Sequence, residues 1–215
     1  MRRILFFVAL TVLVFASMNA FAGNAYNWTG VYVGVEGSYS FGSADWKNVD
    51  DISTNNLDNM LTGGMGGLFL GFNYQTPVNI VVGVVTDMNG GELSASSACP
   101  NPSYMCKTEL NWLGSTSVRI GYPFSRVLPY VGFGVAYTNA YLNGYNAFAS
   151  ISTKDFYFGL TPSIGVDIVI VKNLIGRAEW AYYDFRQKHV GFSDGEDADN
   201  KIQFNELKLG LYWKF

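Results

Sequence analysis

A strict two-residue alternation recurs eight times along the chain and limits the fold more than any other feature. In residues 26–42, YNWTGVYVGVEGSYSFG, one parity holds Val31, Val33, Val35, Tyr39 and Phe41. The other holds Tyr32, Gly34, Glu36, Ser38 and Ser40. Successive side chains of an extended strand point to opposite faces, so period two predicts a strand. The pattern predicts strands over 28–42, 61–74, 78–88, 108–122, 128–138, 154–168, 174–185 and 203–215. The third sets Val78, Ile80, Val82, Val84 and Met88 against Asn79 and Asp87; the fourth sets Leu110, Trp112, Val118, Ile120 and Tyr122 against Glu109, Asn111, Ser115, Ser117 and Arg119. The sixth sets Phe156, Phe158, Leu160, Ile164, Val166 and Ile168 against Asp155, Thr161, Ser163 and Asp167. The last sets Leu207, Leu209, Leu211, Trp213 and Phe215 against Glu206, Lys208, Gly210, Tyr212 and Lys214.

The connections alternate in length. Short ones are read at 75–77, 123–127 and 169–173, and long ones rich in Asn, Asp, Ser and Gly at 43–60, 89–107, 139–153 and 186–202. An outer-membrane barrel requires this asymmetry, with tight periplasmic turns, longer outer loops and an even strand number. The predicted fold is therefore all-β, an eight-stranded antiparallel transmembrane β-barrel with both termini in the periplasm. A soluble barrel points its apolar parity inward, and a membrane barrel reverses it. The polar parity carries Glu36, Glu109, Arg119, Arg177, Glu179, Glu206 and Lys208, each costing a few kcal/mol if it faced lipid at mid-bilayer. Facing inward, opposite charges can pair as a lumen ion-pair network while glycines make room for their long side chains. Aromatic girdles are expected at Trp28, Tyr74, Tyr122, Trp213 and Phe215 on the periplasmic side, and at Tyr39, Phe41, Trp112, Tyr137, Phe156 and Tyr182 on the outer side.

The N-terminus agrees with export. MRRILFFVALTVLVFASMNAFAG begins with Arg2 and Arg3, continues through the apolar run Ile4 to Ala16, and reaches the small-x-small site Ala20-Phe21-Ala22. This order predicts a signal peptide at 1–22 and a mature barrel domain at 23–215. No other segment is long and apolar enough to predict a spanning helix. Losing Arg2 and Arg3 takes the net charge from −3 to −5, which argues against nucleic acid as a partner. Cys99 and Cys106 close a small loop, and an oxidising compartment makes a disulfide the expectation.

Three stretches carry a family resemblance. NWTGVYVG at 27–34 resembles the opening of the alphaproteobacterial outer-membrane β-barrel family, which includes surface antigens, opacity-like proteins and haemin-binding porin-family proteins. PYVGFGVAY at 129–137 looks like that family's central strand, and RAEWAYYDF at 177–185 like its penultimate one. The terminal strand with Trp213 and Phe215 resembles the assembly signal read by the barrel assembly machinery. The resemblance covers essentially the mature chain and implies a fold and an outer-membrane location rather than an activity. Expected partners are outer-membrane lipid, lipopolysaccharide, the barrel assembly machinery, and a host or extracellular ligand meeting the outer loops.

Candidate chemistry is sparse. His189, with Lys188 beside it, could bind haemin, but axial ligation needs a shielded pocket and a lone loop histidine is ordinarily solvated. Ser193 and Asp194 follow His189 in one acidic loop, without the rigid support a catalytic triad needs. SDGEDADN at 193–200 lacks the EF-hand spacing and closing Glu. No enzyme, cofactor or metal is called for. Eight strands enclose a space that side chains largely fill, so the expected role is structural and surface-exposed, with a small-solute channel or a haemin-binding surface protein as alternatives.

Overall fold

A computed structural model describes residues 26–48, 57–98, 105–145, 150–191 and 197–215, with side chains described at 26–43, 60–95, 109–141, 156–185 and 202–215. The strands are β1 Gly30–Asn48, β2 Leu57–Gln75, β3 Val81–Ala98, β4 Met105–Gly121, β5 Val127–Tyr145, β6 Ser150–Val171, β7 Leu174–Gly191 and β8 Asp197–Lys214. Each pairs antiparallel with its neighbour in sequence, and β8 returns to β1 to close the barrel. Closure removes every sheet edge, as a sheet surrounded by hydrocarbon requires.

The apolar parity faces out. Val33 is 43 %, Leu70 50 % and Leu209 69 % exposed, whereas Tyr32, Phe69 and Tyr212 are sealed inside. Two apolar clusters occupy the lumen. One, near the termini, is built on Trp28, Tyr32, Phe69, Val81, Val85, Leu128, Val169, Ile175 and Tyr212. The other, toward the outer end, is built on Leu61, Leu93, Leu110, Leu113, Tyr157, Tyr183, Phe185, Ile202 and Phe204.

The amphipathic sense reverses along the strands. Within the membrane band the inward parity is mostly polar and the outward parity apolar. Above the ring of Tyr39, Phe41, Phe156 and Trp180, the inward residues are Leu61, Leu93, Ala95, Leu110, Ala140, Phe185, Ile202 and Phe204, all buried. The outward ones are Thr62, Asn139 and Asn205, level with the ring, and Ser43, Glu92, Ser94, Asn111 and Gln203 beyond it, all exposed or half-exposed. A polar outer face over an apolar interior is the arrangement that water, rather than lipid, favours around a barrel wall.

This reversal corrects several expectations. Much of the sequence read as long outer loops is strand: β1 runs to Asn48, β3 to Ala98, β5 to Tyr145 and β7 to Gly191. Asn, Ser and Gly resemble loop composition, but neighbouring strands satisfy their backbone groups. His189 and Lys188 accordingly lie on the β7 backbone, opposite Asp199 and Asn200, rather than in a loop. Their side chains lie outside the described residues, as do Cys99, Ser193, Asp194 and residues 1–22. Cys106 pairs with Ser97 along β4, but its side chain is likewise undescribed, so the Cys99–Cys106 link is outside the described part. Val78 and Ile80 belong to the turn before β3, and the β6–β7 connection shrinks to Lys172–Asn173. Leu110 points inward because β4 carries one extra residue between Leu110 and Leu113 against β5. A bulge of this kind shifts the parity beyond it. Trp28 is fully buried in the periplasmic mouth rather than standing in a girdle. Tyr74, Tyr122, Trp213 and Phe215 do face outward at that end.

Candidate functional site

Between the two apolar clusters lies a belt of buried polar side chains. Its lower layer is centred on Asp167 of β6. Arg119 of β4 approaches Asp167 Oδ2 at 2.9 Å, and Arg177 of β7 approaches Oδ1 at 3.0 Å. Tyr212 Oη donates to the same carboxylate at 2.9 Å. Arg119 also donates from Nε and Nη2 to Asn73 Oδ1 at 3.0 and 2.9 Å. The two guanidiniums stack on rings: Arg177 lies 4.5 Å from the Phe69 centroid, and Arg119 4.8 Å from that of Tyr130. Arginine suits this place because its planar fork can pair and stack at once. Gly83 makes room, since a Cβ there would run into Asn73 Oδ1 and crowd Arg119 Cγ.

The upper layer is centred on Lys208 of β8. Its Nζ lies 3.3 Å from Asp87 Oδ1, 3.6 Å from Glu206 Oε2, 3.8 Å from Glu36 Oε1 and 4.0 Å from Glu179 Oε1. The carboxylates take further donors: Asn89 Nδ2 to Glu36 at 2.8 Å, Ser115 Oγ to Asp87, Ser38 Oγ to Glu206 at 2.6 Å and Tyr130 Oη to Glu179 at 2.7 Å. One ammonium thus serves four acidic groups from β1, β3, β7 and β8. With Asn73 of β2, Arg119 of β4, Tyr130 of β5 and Asp167 of β6, the belt ties all eight strands from within.

The belt brings together Glu36, Arg119, Arg177, Glu179, Glu206 and Lys208. Glu109 stays outside it. Beyond the β4 bulge it takes the outward parity, beside Ser94 and Tyr141. Asp167, the centre of the lower layer, and Asp87, the carboxylate nearest Lys208 in the upper one, join these six in the belt. Both sit on the inward parity of their strands, so alternation alone marks them as lumen residues. Which acid meets which base is set by barrel register, which a linear pattern does not carry.

The N-terminal residues stopper the end below. Trp28 N donates to Gln75 Oε1 at 2.9 Å, and Gln75 N donates to Thr29 Oγ1 at 2.9 Å. Lys214 Nζ donates to the Asn27 and Thr29 carbonyls. Phe215 N donates to Val31 O at 2.9 Å, so the last residue helps close the β1–β8 seam.

A barrel wall turned to lipid around a charged, filled lumen has a counterpart in sequence comparison. The profile described as Outer membrane protein beta-barrel domain matches residues 7–215. The chain belongs to this family of outer-membrane barrels. Within the family it is 27 % identical over 206 residues to the 31 kDa outer-membrane immunogenic protein of Brucella melitensis, covering 89 % of this chain and 85 % of that one. It is 27 % identical over 192 residues to a 22 kDa outer membrane protein of Rhizobium leguminosarum bv. viciae, covering 88 % and 79 %. Among solved structures it resembles the outer membrane protein OprG of Pseudomonas aeruginosa, with TM-score 0.55, 14 % identity and coverage of 89 % and 98 %. That likeness concerns the fold. The family barrel is an outer-membrane protein, and the Brucella relative is named for its immunogenicity.

Proposed function

We propose that this outer-membrane barrel works as a rigid surface-presenting scaffold. Its lipid-facing band anchors it, and its strands continue outward as a stiff, water-exposed tube whose rim meets the environment or a host. The reversal of amphipathic sense above the aromatic ring carries this reading. A tube with its own apolar interior holds its shape outside the membrane, as a soluble barrel does. At about 3.3 Å per residue and a tilt of 35–45°, the span from Phe41 to Asn48 lifts the rim roughly 15–20 Å above the ring. The immunogenic names of the Brucella relatives support a surface-exposed role here. The belt and the two apolar clusters support a filled lumen rather than a conduit.

The test is thiol labelling on intact cells. Ser94→Cys, Asn139→Cys and Gln203→Cys, each in a Cys99→Ser/Cys106→Ser background, should react with a membrane-impermeant maleimide. Val33→Cys and Leu209→Cys should stay protected. If the first three react only after the cells are broken, the outer tube is not at the surface and the reading fails.

A further inference from the structure

The lipid-facing wall is not uniform. Across β6, β7, β8 and β1 it holds a groove of about 560 Å³. Its floor is low because outward positions Gly37, Gly176 and Ala178 carry little or no side chain. Its walls include Ile168 and Ile170 on β6 and Leu209 and Leu211 on β8. A Cβ built on Gly176 would lie 3.3 Å from Ile170 Cδ1 and 3.9 Å from Leu211 Cδ2, which shows how closely the walls flank that floor. The groove runs along β7 toward the tight-turn end of the barrel.

That end is basic. Ile170 is followed two residues later by Lys172, exposed at the tip of the two-residue β6–β7 turn. Lys172 adopts φ of 42°, and the turn is held by Asn173 Nδ2 donating to Lys214 O at 2.6 Å and by Lys214 N donating to Asn173 O at 2.9 Å. Beside it, Val169 N donates to the carbonyl of Arg126 at 2.9 Å, which brings the exposed Arg126 of the β4–β5 turn against the same stretch of β6. An apolar channel leading toward a rim that carries Lys172, with Arg126 on the adjacent turn, has the layout of an amphiphile: hydrocarbon along the wall, phosphate at the rim.

We propose that this groove is a phospholipid seat in the periplasmic leaflet. One acyl chain lies over Gly176 and Ala178, and the phosphate meets Lys172 and Arg126. A basic pocket at the membrane surface favours an anionic headgroup, each cation contributing about fivefold in affinity. An acyl chain held in a groove gains contact along its length that bulk lipid on a smooth wall does not.

Barrel reconstituted in vesicles of phosphatidylethanolamine and phosphatidylglycerol, then released into mild detergent, should retain one phospholipid by native mass spectrometry, with phosphatidylglycerol enriched. Ala178→Leu fills the floor and should cut retention of both lipids about tenfold. Arg126→Gln with Lys172→Gln should abolish the phosphatidylglycerol preference, a loss of roughly thirtyfold. All these substitutions face lipid or water, and unchanged heat-modifiable migration would show that the barrels fold. Wild-type retention in Ala178→Leu overturns the seat, as does a retained mass that proves to be a second protein chain. Loss of phosphatidylglycerol and phosphatidylethanolamine in equal measure from the double variant overturns the headgroup assignment.

Discussion

At the residue scale the belt sets the terms. Asp167 is fully buried and shared by two guanidiniums. Removing one partner of a buried pair leaves uncompensated charge in a low-dielectric interior. Asp167→Asn should therefore cost roughly 3–5 kcal/mol, read as earlier loss of the compact band when samples are heated before electrophoresis. Lys208 presents the opposite balance, with four carboxylates around one ammonium. Lys208→Met should destabilise by at least as much, and adding Glu206→Gln should restore part of the loss. Recovery in the double variant is expected because contacting charges are not additive. Double-variant losses equal to the sum of the singles, measured by urea unfolding in lipid vesicles, would mean that Glu206 and Lys208 are not coupled.

At the element scale the informative strand is β4. Simple alternation places Leu110 on the same face as Val118, but the extra residue before Leu113 turns it into the upper apolar cluster. Leu110→Ala should cost about 2–5 kcal/mol, as cavity formation in a packed interior does. Asn111→Ala, beside it but exposed, should stay within about 0.5 kcal/mol. Equal effects at both positions would place Leu110 back outside. β6 and β7 illustrate how much an element adds beyond its pattern. Their short, anchored turn presents Lys172 at a defined point, while their small outward residues Gly176 and Ala178 leave a channel leading to it.

At the scale of the whole molecule, apolar clusters cap the charged belt at both ends, and Trp28 lies in the lower one. Planar bilayers containing the purified barrel should show no steady, well-defined openings; reproducible unitary conductance would refute the filled lumen. The sequence by itself determined the strand count, the side that faces lipid within the membrane band, and six of the charged residues that meet in the lumen belt, because period two is a local consequence of backbone geometry. Val31, Leu70 and Leu209 could be assigned outward without any knowledge of their neighbours. Only the tertiary structure decided that Arg119 meets Asp167, that Lys208 gathers acids from four strands, that Glu109 is left out, and that the Asn- and Ser-rich segments stand as strands with greasy interiors. Each of these depends on register, on a single inserted residue, or on which solvent surrounds a given height of the barrel. Those are relations between strands distant in sequence, and no alternation within one strand encodes them.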